Sequence, residues 1–304
     1  MLGKWRAMSR RRKMSKKGSY NMDISQKRIL VTGSEGMIGK CLVEELKRHD
    51  CNVLLFDKAQ GDVTDWSSVS KIGKVDMICH LAAIPSVAYS LENPLEVMRI
   101  NAMGTLNVLE LARKQKVEKF IFISSYLYGS PKYLPIDEKH PLQPSNPYAY
   151  SKFVAEAFCE SYHQSYKMPL IIFRPFNVYG PNQQNAVIPT ILEQMKSKKI
   201  VLKDLEPKRD YIYISDVVSA IISALAADIP GYEIFNLGTG KAYSVKELVD
   251  IVFSITGEKM PVQDLKQRRP NEIMDCAADI RKAKKLLKWA PEYSLAEGLL
   301  TILS

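Results

Sequence analysis

Arg28-Ile-Leu-Val-Thr-Gly-Ser-Glu-Gly-Met-Ile-Gly39 is the stretch that decides the reading of this chain. Arg28–Thr32 is a short apolar run with β-branched residues, as a buried strand requires. Glycines follow at positions 33, 36 and 39, and from Met37 to His49 the apolar residues recur mostly at three- and four-residue intervals, the stripe of a helix packed on a sheet. A glycine triplet between a first strand and a first helix suits a dinucleotide. Gly33 permits the tight turn, Gly36 lets backbone approach a pyrophosphate, and Gly39 lets the helix pack closely on the strand. The helix N-terminus, at Met37 and Ile38, would then turn free N–H groups and a partial positive charge toward the phosphates. The spacing is G-x-x-G-x-x-G rather than the commoner G-x-G-x-x-G.

Outward from this stretch the same alternation continues. Asn52–Phe56, Asp76–His80, Lys119–Ser124 and Leu170–Arg174 read as strands, with helical segments between them, notably Asn93 to Lys116. Strands this short and this apolar, separated by helices, imply an α/β fold with a doubly wound parallel sheet of the Rossmann type. Residues 27–176 are expected to form the NAD-binding domain. Beyond Asn177 the rhythm loosens into isolated short strands at Lys199–Leu202, Tyr211–Ile214 and Glu233–Leu237. Residues 177–304 are therefore expected to be mainly a smaller C-terminal substrate-binding lobe, with some segments returning to the main sheet. Asp57 ends the second strand, 18 residues beyond Gly39, where a carboxylate would accept hydrogen bonds from the adenine ribose. It would repel a 2′-phosphate, which favours NAD over NADP; the plainer alternative is a strand-end turn residue. Asp62, with Val63 beside it, is placed near the adenine amine.

The 304 residues are 46% apolar and 25% charged, enough to bury a core and too apolar for disorder throughout. No run reaches the ~18 apolar residues of a membrane span. Five cysteines lie scattered with no C-x-x-C pair, and four histidines lack metal-ligand spacing, so a reducing, cytoplasmic setting is expected and no metal site. The net charge of +10 resembles a nucleic-acid signal until it is located. Residues 1–21 carry eight basic side chains and no acidic one, leaving the remaining 283 residues at +2. Residues 1–26 are read as a basic, disordered leader or a start codon placed too early. A polybasic tether or an Arg-rich transit peptide is the functional alternative. Neither nucleic acid nor membrane is expected as a partner of the body.

Tyr148-Ala-Tyr-Ser-Lys152 is the second decisive feature. A tyrosine and a lysine at i and i+4 on a helix point the same way. An ammonium there would favour the phenolate and lower the tyrosine from its ordinary ~10, giving a general base for an alcohol proton. The pattern alone is common, and an exposed helix turn would also produce it.

With these residues in view, the chain resembles the extended short-chain dehydrogenase/reductase family, in its nucleotide-sugar epimerase/dehydratase branch. The likeness runs from about Arg28 to Leu300 and rests on several motifs in family order. They are Thr32–Gly39, His80-Leu-Ala-Ala83, Asn101-Ala-Met-Gly-Thr105, Ser124-Ser-Tyr-Leu-Tyr-Gly129, Pro147–Lys152, Arg174-Pro-Phe-Asn-Val-Tyr-Gly-Pro181, Arg209–Asp216 and Asn236-Leu-Gly-Thr-Gly240. The resemblance implies Tyr148 as catalytic base and Lys152 as the residue that tunes it and holds the nicotinamide ribose. It also implies Leu81, Ala82, Ala83 and Asn101 against the cofactor. The family's catalytic Ser/Thr falls on Ser125 or, on the other count, Ser124, because this segment is one residue short. Asn177, Arg209 and Arg269 are implied at the nucleotide diphosphate, which guanidinium groups can bind bidentately.

The branch's 4,6-dehydratases carry an Asp-Glu pair after the catalytic Ser/Thr; here the positions hold Tyr126 and its neighbours, with no carboxylate. The resemblance thus points to an NAD-dependent UDP-sugar 4-epimerase acting through a transient 4-keto sugar. Cys276 aligns with a residue walling the sugar C2 substituent, and its small size would leave room for an N-acetyl group, as in UDP-GlcNAc and UDP-GalNAc. Being merely a small buried residue is the alternative. Competing readings are an NAD(P)H-dependent 4-keto-sugar reductase and a non-catalytic dinucleotide sensor. Homodimers through a helix pair that includes the Tyr148 helix are usual in the family.

Overall fold

The apolar runs form one parallel sheet, because strands hydrophobic on both faces are stable only when helices cover both. In the computed structural model, which describes residues 22–269 and 272–303, these strands are β1 (Arg28–Thr32), β2 (Asn52–Phe56), β3 (Met77–His80), β4 (Lys119–Ile123) and β5 (Leu170–Pro175). The chain then makes β6 (Asn177–Tyr179), β7 (Ile200–Leu202) and β8 (Lys208–Tyr213) before β9 (Tyr232–Leu237). β9 is not the isolated strand its sequence suggests. It runs parallel to β5, from Leu170 opposite Tyr232 to Pro175 opposite Leu237, and completes a sheet of order β2-β1-β3-β4-β5-β9. The order reverses between β1 and β3, and the crevice beyond the carboxyl ends of those two strands is where such sheets bind ligands.

Alternate residues of each strand face opposite layers. Ile29, Val31, Met77 and Ile121 pack under the Met37–Arg48 and Ile214–Ala226 helices. Leu30, Ile78, Phe120 and Phe122 pack under the Gly104–Gln115 and Pro147–Tyr166 helices. β2 lies at the sheet edge, and Leu55 there is 39% exposed. Next to the sheet, β8 pairs parallel with β6 and antiparallel with β10 (Ala242–Ser244), while β11 (Val262–Asp264) pairs parallel with β7. Tyr179, Ile191, Tyr213 and Leu248 centre a separate core there, against which Met37 and Ile38 also pack.

Two local features depart from the sequence reading. The expected helix over 93–116 is interrupted by a π-helical turn at Arg99–Met103, a geometry that re-aims side chains and recurs at functional sites. Residues 22–26, grouped with the leader, are fixed to the body. The Met22 N–H donates to Ala226 O at 3.0 Å, and Ile24 is buried. The leader's other residues lie outside the described ones.

Two buried charges tie the layers together. Lys119 Nζ donates to the carbonyls of Ala224 (2.8 Å), Leu225 (3.0 Å) and Ala227 (2.6 Å), capping a helix that has no basic residue in its last turn. Burial pushes this ammonium down to about 8. Arg174, at the end of β5, forms a buried pair with Glu156 of the Pro147–Tyr166 helix at 2.6 Å and donates to Tyr128 Oη at 3.1 Å. Arg174→Met would leave the Glu156 carboxylate uncompensated and should cost about 3–5 kcal/mol in urea unfolding. Lys27→Ala, which breaks the solvent-exposed pair with Glu118, should cost no more than about 1 kcal/mol. Equal losses would contradict this assignment.

Candidate active site

The site begins where β1 and β3 separate. A Cβ built on Gly33, which has φ +71°, would lie 2.7 Å from the Ala82 nitrogen, and one on Gly39 would lie 2.1 Å from the Gly33 carbonyl oxygen. Only glycine permits this packing of turn, helix and the 81–83 loop. Gly36 differs: its added Cβ would meet only the Gly33 carbonyl, at 3.2 Å, and nothing else within 4 Å. Gly36 caps the Met37–Arg48 helix without any side-chain hydrogen bond, so no side chain screens the first-turn N–H groups of that helix. A bare glycine surface at an open helix N-terminus fits a dinucleotide pyrophosphate.

Asp57, at the carboxyl end of β2, accepts from Ser34 Oγ at 2.7 Å and from the Glu35 N–H at 2.6 Å. It therefore stands beside the glycine turn. Asp62, five residues on, has partners of its own. It pairs with Arg99 at 3.2 Å and accepts from the Thr64 N–H at 2.8 Å. These partners, the Thr64 N–H foremost, hold its carboxyl below the usual range. Val63 is buried beneath Gly104. Leu81 and Ala82 are held by backbone donation to Thr32, to its carbonyl at 3.1 Å and to its hydroxyl at 3.3 Å respectively. The buried Asn101 amide exchanges two hydrogen bonds with the Ile84 backbone, at 2.7 and 3.1 Å. It thus pins the loop that follows Ala83.

A cavity of about 200 Å³ adjoins this crevice, and its wall includes Ser125, Tyr148, Asn177, Arg209 and Cys276. Tyr148 is positioned by a well-started helix: Asn146 Oδ1 accepts the Ala149 N–H at 2.9 Å and Pro147 occupies the first turn. The atoms packed around its hydroxyl push the Tyr148 phenol above its ordinary value, and a hydrogen bond with Ser125 opposes this. The structure thus brings Ser125 to Tyr148. Ser124 Oγ is buried and has no partner among the described residues. Lys152 Nζ donates to the Ile123 carbonyl at 2.8 Å and lies 4.8 Å from the centre of the Phe122 ring. Burial pushes its ammonium down to about 8. The expected lowering of Tyr148 by Lys152 is not what governs the phenol here: burial is the larger influence, and Ser125 is the group that opposes it.

Arg209 reaches the cavity but is engaged, donating to the Ile273 carbonyl at 2.5 Å and pairing with Glu272. Arg269 is exposed and outside the cavity wall. Asn177 Nδ2 makes a long contact of 3.5 Å to the Asp210 carbonyl. Cys276 is buried, and that burial pushes its thiol up to about 11.

Two residues of the site carry no role in the sequence reading. Asp210 is buried and accepts from the N–H groups of Thr239 (2.7 Å), Gly240 (2.9 Å) and Ala278 (3.0 Å), stapling the segment that carries Cys276. Tyr126 forms part of the cavity wall, donates to the Gly129 carbonyl at 2.6 Å and packs edge-on against Tyr128 and Phe176. For Asp210 the only signal is its place in the Arg209–Asp216 motif; Tyr126 stands out only as occupying a position where the branch's dehydratases carry a carboxylate. No carboxylate is among the described residues that line the cavity. No cluster of His, Cys, Asp and Glu among the described residues could hold a metal ion.

Residues 29–238 match the NAD-dependent epimerase/dehydratase family. A Methanocaldococcus jannaschii protein provisionally named UDP-glucose 4-epimerase is 36% identical over 299 residues, covering 89% of this chain and 95% of the relative. The mouse dTDP-D-glucose 4,6-dehydratase is 32% identical, over 96% of this chain and 91% of its own. Among solved structures, the UDP-N-acetylglucosamine 4-epimerase of Methanobrevibacter ruminantium, in complex with UDP-N-acetylmuramic acid, superposes with a TM-score of 0.86 at 28% identity. That match covers 92% of this chain and 98% of the other.

Gly36→Ala has an extended backbone and one close contact, to the Gly33 carbonyl at 3.2 Å, so its unfolding midpoint should fall less than that of Gly39→Ala while NAD⁺ affinity falls at least about tenfold. Gly39→Ala should instead lose about 1–3 kcal/mol of stability or more. Unchanged NAD⁺ affinity in Gly36→Ala, read by titration calorimetry, would remove the glycine turn as the phosphate site.

Proposed function

The chain belongs to the NAD-dependent epimerase/dehydratase family, and from that premise we propose that it is a UDP-sugar 4-epimerase working through a transient 4-keto sugar. NAD is its cofactor. The observation that carries the reading is the content of the cavity: Tyr148 and Ser125 share its wall, Ser125 acting to lower the phenol, with no carboxylate among the described residues that line it. Elimination of water across C5 and C6 needs a second acid–base pair, and where the branch's dehydratases carry Asp-Glu this chain has Tyr126 and Leu127, with no carboxylate. A 4-epimerase needs only one proton carrier, because the proton removed from the C4 hydroxyl is the one returned to it.

In this reading the Gly33–Gly39 turn and the Met37 helix N-terminus hold the pyrophosphate of NAD, and Asp57 takes the adenine ribose. Bound there, NAD supplies the hydride acceptor and donor through which C4 is inverted. Ser125 orients the C4 hydroxyl and hands its proton to Tyr148. Lys152, a buried cation on the same helix face, favours the phenolate and holds the nicotinamide ribose. Asn177, Arg209 and Arg269 take the diphosphate; for this Arg209 exchanges part of its pairing with Glu272 for phosphate oxygens. Cys276 leaves space beside the sugar C2 position, which admits an N-acetyl substituent.

The unpaired state of all five cysteines supports a reducing, cytoplasmic setting. Leu91 is 65% exposed and Leu95 82% exposed on the short helices that flank the Tyr148 helix, which itself exposes Tyr150 and Phe153. This apolar face supports a homodimer as the working unit. Sedimentation of a single chain at micromolar concentration would count against it.

Tyr148→Phe should reduce kcat by at least about 10²-fold without changing the fold by circular dichroism. In the wild type, activity should rise with pH through the Tyr148 pKa, since the base acts as phenolate. Lys152→Met removes a nearby cation, so the rising limb should move to higher pH; a limb that stays in place would contradict the role given to Lys152. Incubation with UDP-, dTDP-, GDP- and CDP-sugars, read by NMR, should give C4 epimers of UDP-glucose and UDP-GlcNAc without added NAD(P)H. Stoichiometric NAD(P)H consumption would instead identify a 4-keto-sugar reductase. Turnover of UDP-galactose with none of UDP-GalNAc would remove the role of Cys276.

A further inference from the structure

The reading above uses the glycine crevice and the Tyr148–Lys152 pair but leaves unexplained what joins them. The joint is a buried hydrogen-bond chain through His80, and five side chains in it (Thr32, His80, Asn101, Thr105 and Ser151) are each 0% exposed. Its directions can be assigned from the donors available. Ser151 Oγ donates to the Tyr148 carbonyl at 2.7 Å and accepts from Asn101 Nδ2 at 2.9 Å. Thr105 Oγ donates to the Asn101 carbonyl at 2.6 Å, so the 2.9 Å contact between Thr105 Oγ and His80 Nε2 is one in which the ring N–H donates. His80 Nδ1 is then the acceptor, and the Thr32 hydroxyl donates to it at 2.6 Å while receiving the Ala82 N–H at 3.3 Å. Every proton in the chain has a place, and the imidazole is the neutral Nε2–H tautomer. Burial, aided by the Lys152 charge, pushes His80 down to about 3 and keeps it neutral. A second connection runs through Phe122. Its ring stacks on His80 at 5.8 Å between centroids, and Lys152 Nζ lies 4.8 Å from that same ring.

We propose that His80 is a positioning residue that locks the cofactor-side loop 81–84 and the Tyr148–Lys152 helix into one register, so that NAD⁺ binding and the placement of the proton-handling pair are energetically coupled. The coupling runs from Ala82 through Thr32, His80, Thr105, Asn101 and Ser151 to the Tyr148 carbonyl, and Asn101 also clamps both polar groups of the Ile84 backbone. The inference rests on the role given to Tyr148 and Lys152, but its test does not use turnover.

The test is a double-mutant cycle on Thr32→Val and Ser151→Ala, which remove the two ends of the chain and share no contact. NAD⁺ affinity of the full chain is measured by calorimetry, and amide deuterium exchange is followed at Ile84. Ser151→Ala should weaken NAD⁺ several-fold and speed Ile84 exchange. The double variant should bind NAD⁺ at least about threefold more tightly than the product of the two single effects predicts, as interacting sites do. His80→Gln keeps one acceptor and one donor and should hold NAD⁺ affinity within about threefold, whereas His80→Phe should lose at least about tenfold. Additive single effects, or a Ser151→Ala protein that melts earlier but binds NAD⁺ as tightly as wild type, would overturn the coupling and leave an ordinary core network. A wild-type chain that fails to bind NAD⁺ at all would overturn the functional reading instead.

Discussion

A phenol partly withdrawn from water loses its proton readily only if the protein stabilises the charge left behind. Tyr148 is half-buried in the cavity wall, and desolvation holds its phenol above the ordinary value. The Ser125 hydroxyl opposes this, and Lys152 is the cation on the same helix face. Lys152 is itself desolvated and donates to the Ile123 carbonyl, so neither group is a free charge in the structure. The arrangement is that of a base whose strength depends on what is bound beside it. In the proposed mechanism the positive charge of oxidised NAD shifts the balance toward phenolate, which ties proton removal to the presence of the correct redox partner.

The rest of the fold serves this placement. The glycine turn brings backbone against the 81–83 loop with no space for a Cβ on Gly33 or Gly39. The Arg174–Glu156 pair anchors the Tyr148 helix to β5, while Asp210 staples the Cys276 segment behind the cavity. These ties come from widely separated parts of the chain and converge at the carboxyl ends of the strands, the usual receiving side of such sheets.

Much of this was legible before any coordinates. The turn between β1 and its helix is written in three glycines, because that feature is local. The strands are visible for the same reason, but their order is not. β9 had the composition of an isolated strand, and only its pairing with β5 makes it the sixth of the main sheet. The choice between Ser124 and Ser125 needed the third dimension, since one residue changes which side of the strand end a hydroxyl occupies. The engagement of Arg209 with Glu272, of Asp62 with Arg99, and of His80 with threonines 48 residues back and 25 residues ahead depends on contacts across the fold that no spacing rule encodes. The π-helical turn at Asn101 was hidden because its composition is that of an ordinary helix.

The central claim is that this cavity moves one hydroxyl proton and leaves every carbon-bound proton out of exchange with water. Turnover of UDP-glucose in D₂O, with the product read by NMR, tests it most directly. A C4 epimer carrying no deuterium on any sugar carbon is the result the account predicts. Deuterium bound to carbon at C4 or C5 would show that solvent protons reach the ring, and would contradict it.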